Sequence, residues 1–244
     1  MTLIAPSILA ARACTISEAV VIAEKGGADW IHLDIMDGHF VPNLTFGPPV
    51  VRMFKPLSKL PFDAHLMVEN PDLLIPELIE IGVEYITVHQ ETCVHLHRTL
   101  SMIRDGGVKA GVALNPATSL DTILEVMHML DLIIVMGVNP GFAGQEHIPE
   151  TASKVAKFSE ISRIREWRGS IMVDGGVTAE NAGLLVLAGA DILVAGASAF
   201  RQRGKNEVGC DLNYADQVRR NIDDLRLACE VAIEQGVDLT EPRF

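Results

Sequence analysis

The stretch Ile31-His32-Leu33-Asp34-Ile35-Met36-Asp37 combines the signature of a buried β-strand with regularly spaced polar side chains. His32 and Asp34 are two residues apart, so on a strand both side chains project to the same face. The remaining positions up to Met36 are apolar, which is typical of parallel strands covered by helices on both faces of the sheet. The stretch therefore predicts a buried parallel strand whose carboxyl end carries a histidine and a carboxylate.

Similar apolar or β-branched runs recur along most of the chain. Together with this stretch they make eight predicted strands: Leu3–Leu9, Trp30–Ile35, Asp63–Val68, Tyr85–His89, Ala110–Leu114, Leu132–Val138, Ile171–Val173 and Ile192–Ala195. Helices are predicted between several of them and after the last: Ser17–Lys25, Pro71–Ile81, Leu96–Arg104, Leu120–Leu130, Thr178–Ala188 and Asn213–Glu234. Consecutive strands separated by a crossover helix are typical of βα units with a parallel sheet.

Eight such units without a linker-like segment favour the α/β class and a single (β/α)8 TIM barrel over an open, doubly wound sheet. No GxGxxG or GxxxxGK[ST] pattern follows the first strand, which removes the main argument for a nucleotide-binding fold. We expect one domain over residues 1–244, with an extended C-terminal helical segment from about residue 202.

Composition excludes several classes of protein. The chain has 244 residues, a net charge of −12 and 48% hydrophobic residues, which is ordinary for a globular domain and unlike a disordered chain. An acidic balance without a Lys/Arg run argues against nucleic acid or an anionic membrane as a partner. No apolar run is long enough to span a bilayer, no signal peptide is evident, and the four cysteines are sparse. We therefore expect a cytoplasmic protein without a disulfide framework.

Three predicted strands carry metal-ligand residue types where they end: His32 with Asp34, His65, and Asp174. In a TIM barrel the carboxyl ends of the strands meet at one mouth, where functional residues concentrate. Imidazole and carboxylate ligands suit Zn²⁺, Fe²⁺, Mn²⁺ or Co²⁺. Each residue taken singly has the alternative role of a hydrogen-bonded polar group at a strand end. The four together predict a site for one divalent metal ion.

Glycine-rich loops follow the last three predicted strands. They contain Asn139–Gln145, Gly175-Gly176 and Gly196-Ala197-Ser198. Glycines let backbone N–H groups approach an anion closely, and barrels frequently bind phosphate in the loops after strands seven and eight. The alternative is ordinary turn chemistry without a ligand. The uncharged loop Asn139–Gln145 is also a candidate for a lid.

Five motifs resemble the ribulose-phosphate 3-epimerase family, over about residues 3 to 200. They are Ala5-Pro6-Ser7-Ile8-Leu9, Ile31-His32-Leu33-Asp34-Ile35-Met36-Asp37-Gly38-His39-Phe40-Val41-Pro42-Asn43, Asp63-Ala64-His65-Leu66-Met67-Val68, Asn139-Pro140-Gly141-Phe142 and Val173-Asp174-Gly175-Gly176-Val177. The resemblance implies a (β/α)8 barrel, a divalent metal, usually Zn²⁺ or Fe²⁺, and interconversion of D-ribulose 5-phosphate with D-xylulose 5-phosphate in the pentose phosphate pathway. It also implies a homo-oligomer, either a dimer or a hexamer.

Carried onto this chain, the resemblance assigns a role to each matching position. The metal ligands are His32, Asp34, His65 and Asp174, and Asp34 and Asp174 are also the acid–base pair. The substrate-binding residues are Ser7, His65, Gly141, Phe142, Ala143, Gly144, Gly175, Gly176, Gly196 and Ala197. Met36, Met67 and Met136 line the cavity, although core packing is an alternative role for them. Inversion at C3 requires one carboxylate to remove a proton while the other returns one on the opposite face.

Some positions depart from the family pattern as the resemblance describes it. Gly137 stands where Ser or Thr is usual, Ala143 where Gly is usual, and Ala197 where Ser is usual; Arg12-Ala13 replaces Asp-Phe. Because three of these positions surround the predicted phosphate site and lid, an epimerase for D-allulose 6-phosphate is an alternative. The intact ligand set disfavours a catalytically silent binding barrel. A sugar-phosphate decarboxylase is disfavoured because the only lysine near a strand end, Lys109, is at the wrong end of its strand.

Overall fold

The computed structural model describes residues 2–12, 15–201 and 214–236. Its eight strands are β1 (Leu3–Pro6), β2 (Ile31–Met36), β3 (Phe62–Met67), β4 (Tyr85–His89), β5 (Lys109–Leu114), β6 (Leu132–Met136), β7 (Ser170–Asp174) and β8 (Ile192–Ala195). All paired strands are parallel, in the order β1-β8-β7-β6-β5-β4-β3-β2. A parallel bridge between Ser7 and His32 brings β1 against β2. The predicted TIM barrel is thereby confirmed.

Helices cover the outside of the barrel. Their bounds are α1 (Ile16–Lys25), α2 (Pro48–Phe54), α3 (Ile75–Ile81), α4 (Leu96–Asp105), α5 (Glu150–Ile164), α6 (Ala179–Leu187), α7 (Ala197–Phe200) and α8 (Tyr214–Gln235). Local signals fix several ends. Thr178 and Asn181 form a reciprocal capping box at the start of α6, and Gly82 ends α3 in the left-handed conformation with φ of 81°.

The core has two layers because side chains alternate along each strand. On β2, Ile31, Leu33 and Ile35 belong to the large cluster between the sheet and the helices. A smaller cluster fills the barrel interior, with Trp30 and Tyr85 in contact at a centroid distance of 4.2 Å. The other face of β2 therefore directs His32 and Asp34 into the barrel, as the period-two spacing predicts.

One predicted helix is wrong. The segment Leu120–Leu130 forms two short 3₁₀ turns, Leu120–Ile123 and Met127–Met129, and no α-helix. Met127, Met129 and Leu130 are all buried. Residues spaced in this way face different sides of an α-helix, so one helix could not bury all three against the barrel. The structure also contains α2 and α5, which the sequence reading left unassigned.

The C-terminal helix α8 packs against α6, α1 and α7. It buries Val218, Ile222 and Leu225 at helical spacing. The predicted extension begins in residues 202–213, which lie outside the described part of the chain, as does Asn213 at the start of the predicted helix. None of the helices in the described ranges combines the length and apolar character needed to cross a bilayer.

Candidate metal centre and substrate cavity

Four predicted ligands meet at the carboxyl ends of β2, β3 and β7. One ligand atom from each of His32, Asp34, His65 and Asp174 lies within 4.8 Å of the others. The His65 Nδ1 atom is 3.4 Å from both Asp34 Oδ1 and Asp174 Oδ2. The His32 Nε2 atom is 3.3 Å from Asp34 Oδ1 and 3.7 Å from Asp174 Oδ2. The parallel register produces this convergence, because Asp34 pairs with His65 on the neighbouring strand.

The ring of His32 is oriented by a buried carboxylate behind it. His32 Nδ1 is 2.9 Å from Asp63 Oδ2, and Asp63 is completely buried. Thr87 Oγ1 donates to the other oxygen of Asp63 at 3.0 Å. A carboxylate only accepts hydrogen bonds, so Nδ1 carries a proton, and in the neutral form of this imidazole the lone pair of Nε2 faces Asp34 and Asp174.

The ring of His65 has a second histidine behind it. His65 Nε2 is 2.9 Å from His89 Nε2, and the two ring planes are inclined by 19° with their centroids 5.0 Å apart. His89 Nδ1 is in turn 3.1 Å from Glu91 Oε2. Burial lowers the pKa of His89 to about 4, so this imidazole is neutral at pH 7. From its place at the end of a predicted strand, His89 could equally line the cavity or be a packed histidine; the structure buries it, and it is not among the residues that line the cavity. No sequence pattern assigns a role to Glu91.

The electrostatics of the cluster favour positive charge between the carboxylates. Burial alone would lower the pKa of His32, but Asp34, Asp174 and Asp63 raise it well above its ordinary value. The pKa of His65 is likewise raised by Asp174 and Asp34 against the effect of burial. Burial alone would raise the pKa of each ligand carboxyl, yet the two histidines lower it for Asp34 and Asp174. The cluster therefore attracts a cation.

The donor set fits a divalent metal ion. Among the described residues, His32 Nε2 and His65 Nδ1 are buried and have no hydrogen-bond partner. Two ligand atoms that each lie about 2.0–2.1 Å from a tetrahedral ion are separated by about 3.4 Å. The distances of 3.3, 3.4 and 3.4 Å between imidazole nitrogens and carboxylate oxygens match that separation, and the fourth is 3.7 Å.

A cavity of about 260 Å³ opens above the cluster. Ser7 lines it and donates a hydrogen bond from Oγ to Asp34 Oδ2, which fixes the orientation of that carboxylate. Met36, Met67 and Met136 are all buried and all line the cavity. Packing and cavity lining are thus both roles of these methionines, and their thioethers add a polarizable wall without an acidic proton.

Glycine-rich loops form the opposite wall. The cavity lining includes Gly141, Phe142, Ala143, Gly144, Gly175, Gly176, Gly196 and Ala197. The loop after β6 is held by one hydrogen bond from outside the loop and by one within it. Asn43 Nδ2 donates to the carbonyl of Gly141 at 2.8 Å, and Gln145 Nε2 donates to the carbonyl of Asn139 at 2.7 Å. The structure thus brings all of these predicted contact residues to one cavity.

The glycine-rich side also contains two polar side chains, of Arg201 and Ser198, to which the sequence patterns assign no role of their own. Among the described residues that line the cavity, Arg201 is the only one with a cationic side chain. Its guanidinium lies against the loop after β6, because a Cβ added at Gly144 would be 2.6 Å from Nη2. Ser198 Oγ is buried without a described hydrogen-bond partner. The sequence signal for Ser198 is its position next to Ala197, where its hydroxyl follows a predicted phosphate-binding residue.

The glycine at position 137 is explained by a histidine. A Cβ at Gly137 would overlap His147 Nδ1 and would lie 2.5 Å from the carbonyl oxygen of Gly175. His147 Nδ1 is 2.8 Å from that same carbonyl oxygen, which can only accept a hydrogen bond. His147 therefore occupies the space that a side chain at position 137 would need, and it supports Gly175.

Comparisons with known proteins agree with this geometry. The sequence profile of the ribulose-phosphate 3-epimerase family matches residues 3–200. The chain is 46% identical over 211 residues to ribulose-phosphate 3-epimerase of Bacillus subtilis, covering 85% of this chain and 96% of the relative. It is 44% identical over 200 residues to the chloroplastic ribulose-5-phosphate-3-epimerase of Arabidopsis thaliana, covering 81% and 71%.

A crystal structure of KGPDC from Streptococcus mutans superposes with a TM-score of 0.64 and 13% identity, covering 93% of this chain and 99% of that one. At that identity the likeness supports the barrel fold and nothing finer.

Proposed function

Since the chain belongs to the ribulose-phosphate 3-epimerase family, we propose that it interconverts D-ribulose 5-phosphate and D-xylulose 5-phosphate. The observation that carries this proposal is the meeting of two carboxylates and two imidazoles at the barrel mouth, beneath a cavity with glycine-rich walls. Inversion of a carbon next to a ketone needs two acid–base groups, and this cavity offers Asp34 and Asp174.

The two carboxylates reach the cavity from different directions. Asp34 is on β2 and Asp174 ends β7, and β1 and β8 separate these two strands in the sheet. One carboxylate removes the C3 proton, and the other delivers a proton to the opposite face of the planar cis-enediolate. In the reverse reaction their roles exchange. Ser7 Oγ donates a hydrogen bond to Asp34 Oδ2, so the Asp34 carboxylate keeps one orientation while the substrate binds.

His32, His65, Asp34 and Asp174 would hold the metal, for which we propose Zn²⁺; Fe²⁺, Mn²⁺ and Co²⁺ are alternatives. When bound, the ion supplies Lewis-acid stabilisation for the negative charge that develops on substrate oxygens. Met36, Met67 and Met136 exclude water and offer no competing proton donor, which protects the intermediate from stray protonation.

The substrate's phosphate is proposed to bind at the glycine-rich wall. Backbone N–H groups of Gly175, Gly176, Gly196 and Ala197 are candidate donors, and Gly141–Gly144 would cover the ligand. The chain carries a net charge of −12 and the cavity contains two carboxylates, so a dianion needs a local positive charge. Arg201 is the cationic side chain in position to supply it, and Ser198 Oγ offers a further donor.

The six-carbon alternative, D-allulose 6-phosphate, is not favoured, because the relatives described above are named for the five-carbon substrate. A cytoplasmic location and a homo-oligomeric state, dimer or hexamer, remain predictions.

Proton NMR in D₂O tests the proposed reaction directly. Zn²⁺-loaded protein is incubated with D-ribulose 5-phosphate, and loss of the C3–H signal is followed together with formation of D-xylulose 5-phosphate. We expect both to occur and to be suppressed by EDTA. Exchange on D-allulose 6-phosphate without any on the five-carbon substrate would transfer the proposal to the six-carbon reaction. No exchange on either substrate would overturn it.

A further inference from the structure

Behind His65, a chain of hydrogen bonds leads away from the metal cluster to the surface. His65 Nε2 is 2.9 Å from His89 Nε2, and His89 Nδ1 is 3.1 Å from Glu91 Oε2. His89 is completely buried, whereas the side chain of Glu91 is 21% exposed. The far oxygen of Glu91 accepts hydrogen bonds from Asn115 N at 2.8 Å and from Thr118 Oγ1. Three hydrogen bonds, one from His89 at the end of β4 and two from the loop after β5, therefore hold this carboxylate in place.

The Glu91 carboxylate determines which atom donates in each hydrogen bond between Glu91, His89 and His65. Glu91 can only accept, so His89 Nδ1 carries a proton and donates it. A neutral imidazole has one N–H, which leaves His89 Nε2 as an acceptor facing His65. His65 Nε2 must then donate, so in the neutral form of His65 the one proton is on Nε2 and the lone pair of Nδ1 points toward Asp34 and Asp174.

The opposite arrangement has a specific cost. If His65 carried its proton on Nδ1, His89 would have to donate from Nε2 and present a bare Nδ1 to Glu91. Two lone pairs would then face each other at 3.1 Å. His65 would also direct an N–H bond, instead of a lone pair, to the point where the four ligand atoms converge.

We infer that Glu91 and His89 are positioning residues that fix the metal-binding tautomer of His65. The inference rests on the metal site in the proposed function and adds a role that the four ligands do not explain. Asp63 performs the same task for His32 by direct contact at 2.9 Å. Among the described residues, the partner of His65 Nε2 is His89 and not a carboxylate, and His89 in turn connects His65 to Glu91.

The first experiment measures the tautomers in the unaltered chain. Long-range ¹H–¹⁵N correlation spectra of ¹⁵N-histidine-labelled, metal-free protein are recorded at a pH high enough for the imidazoles to be neutral. We expect His89 in the Nδ1–H form and His65 in the Nε2–H form. The reverse pair of tautomers would overturn the inference whether or not the protein is an epimerase.

The second experiment compares Glu91→Gln with Thr118→Val by competition titration of Zn²⁺ against a chromophoric chelator. Glutamine has nearly the same shape as glutamate but only one acceptor oxygen. It therefore cannot accept hydrogen bonds from both His89 Nδ1 and Asn115 N, which contact different oxygens of Glu91. Outer-sphere partners of metal-bound histidines are typically worth 10–100-fold in metal affinity, and we expect a loss in that range for Glu91→Gln. Thr118→Val removes one partner of Glu91 but keeps the carboxylate, so its Zn²⁺ affinity should stay within about threefold of the original.

The outcomes separate the inference from the proposed function. If the unaltered chain does not bind Zn²⁺, the proposed metal site fails, and the tautomer measurement alone decides about Glu91. If the unaltered chain binds Zn²⁺ and Glu91→Gln binds it equally well, the positioning role is wrong. Equal losses in Glu91→Gln and Thr118→Val would also contradict it, since loop disruption would then explain both. Circular dichroism of each variant checks that the barrel has folded.

Discussion

Two isosteric substitutions, Asp34→Asn and Asp174→Asn, separate the halves of the proposed reaction. Each removes one proton acceptor, while the other carboxylate stays in place on a different strand. Because inversion uses both groups, the loss of either should stop formation of the second epimer. The remaining carboxylate can still remove and return the C3 proton on its own face. Each variant should therefore exchange that proton with solvent in only one of the two epimers.

The expected size of the effect follows from the contacts of each carboxylate. Acid–base catalysis by a positioned group contributes about 10²–10⁴-fold. Asp174 is also a candidate ligand, with Oδ2 3.4 Å from His65 Nδ1 and 3.7 Å from His32 Nε2, and Asp34 has similar contacts. Each substitution removes both an acid–base group and a negatively charged metal ligand, so the decrease in the rate of epimerisation should lie at the upper end of that range. We expect a decrease of about 10⁴-fold, equivalent to about 5 kcal/mol in activation free energy.

The assay follows C3–H exchange in D₂O, starting separately from D-ribulose 5-phosphate and D-xylulose 5-phosphate. Zn²⁺ is kept in excess, and the bound metal is measured in each variant, so that loss of the ion is not mistaken for loss of the acid–base group. Exchange restricted to one epimer in Asp34→Asn and to the other in Asp174→Asn would support the two-base assignment. Equal exchange of both epimers by a single variant, or near-normal epimerisation, would refute it.

Four further outcomes are expected from the cavity and its surroundings. Arg201→Ala should raise KM for the phosphorylated substrate about 10–100-fold, because a charged hydrogen bond contributes about 1.5–3 kcal/mol. The value of kcat should stay nearly unchanged, because the phosphate is remote from C3. Steady-state kinetics tests this, with Arg201→Lys as the control. Zn²⁺ affinity should fall as the pH decreases through the raised pKa values of His32 and His65, since both imidazoles must be deprotonated to bind metal; chelator competition across about pH 5–9 measures it. In the metal-free protein the same raised pKa values stabilise the fold below about pH 6.5, and this contribution disappears as the pH rises through the folded values. Gly137→Ser should destabilise the protein by about 1–3 kcal/mol, and His147→Ala in the same chain should recover part of the loss; urea unfolding of the double-mutant cycle detects this coupling.

The sequence predicts the barrel and the ligand cluster for one physical reason. Side chains alternate strictly along a strand, and parallel strands bring their carboxyl ends to one mouth, so His32, Asp34, His65 and Asp174 can be placed together without coordinates. Strand bounds were right to within a few residues, because buried parallel strands are nearly continuous apolar runs.

Other features depend on contacts that no local pattern encodes. The segment Leu120–Leu130 has residues that favour a helix, but it buries side chains that would lie on different faces of one. Only the packing against the barrel shows this requirement. Helix α5 was missed although Thr151, Val155 and Phe158 are buried at helical spacing. Glu91 reaches His65 only through hydrogen bonds to the intervening His89. Arg201 lies beside Gly144, from which it is far away in sequence.

Three positions that depart from the family pattern, Gly137, Ala143 and Ala197, belong to the glycine-rich wall or its surroundings, and the structure suggests why that wall tolerates change. The proposed proton transfers use side chains fixed on strands β2 and β7, where a changed residue type would remove the reacting group itself. A phosphate, in contrast, is bound largely by backbone N–H groups, which any residue except proline provides. Gly137 accommodates His147, and the absence of a hydroxyl at Ala197 coincides with Ser198 and Arg201 on the same wall. Nothing in the structure explains alanine at position 143. Because these substitutions leave Asp34 and Asp174 in place, they are expected to change substrate affinity and to leave the reaction type unchanged.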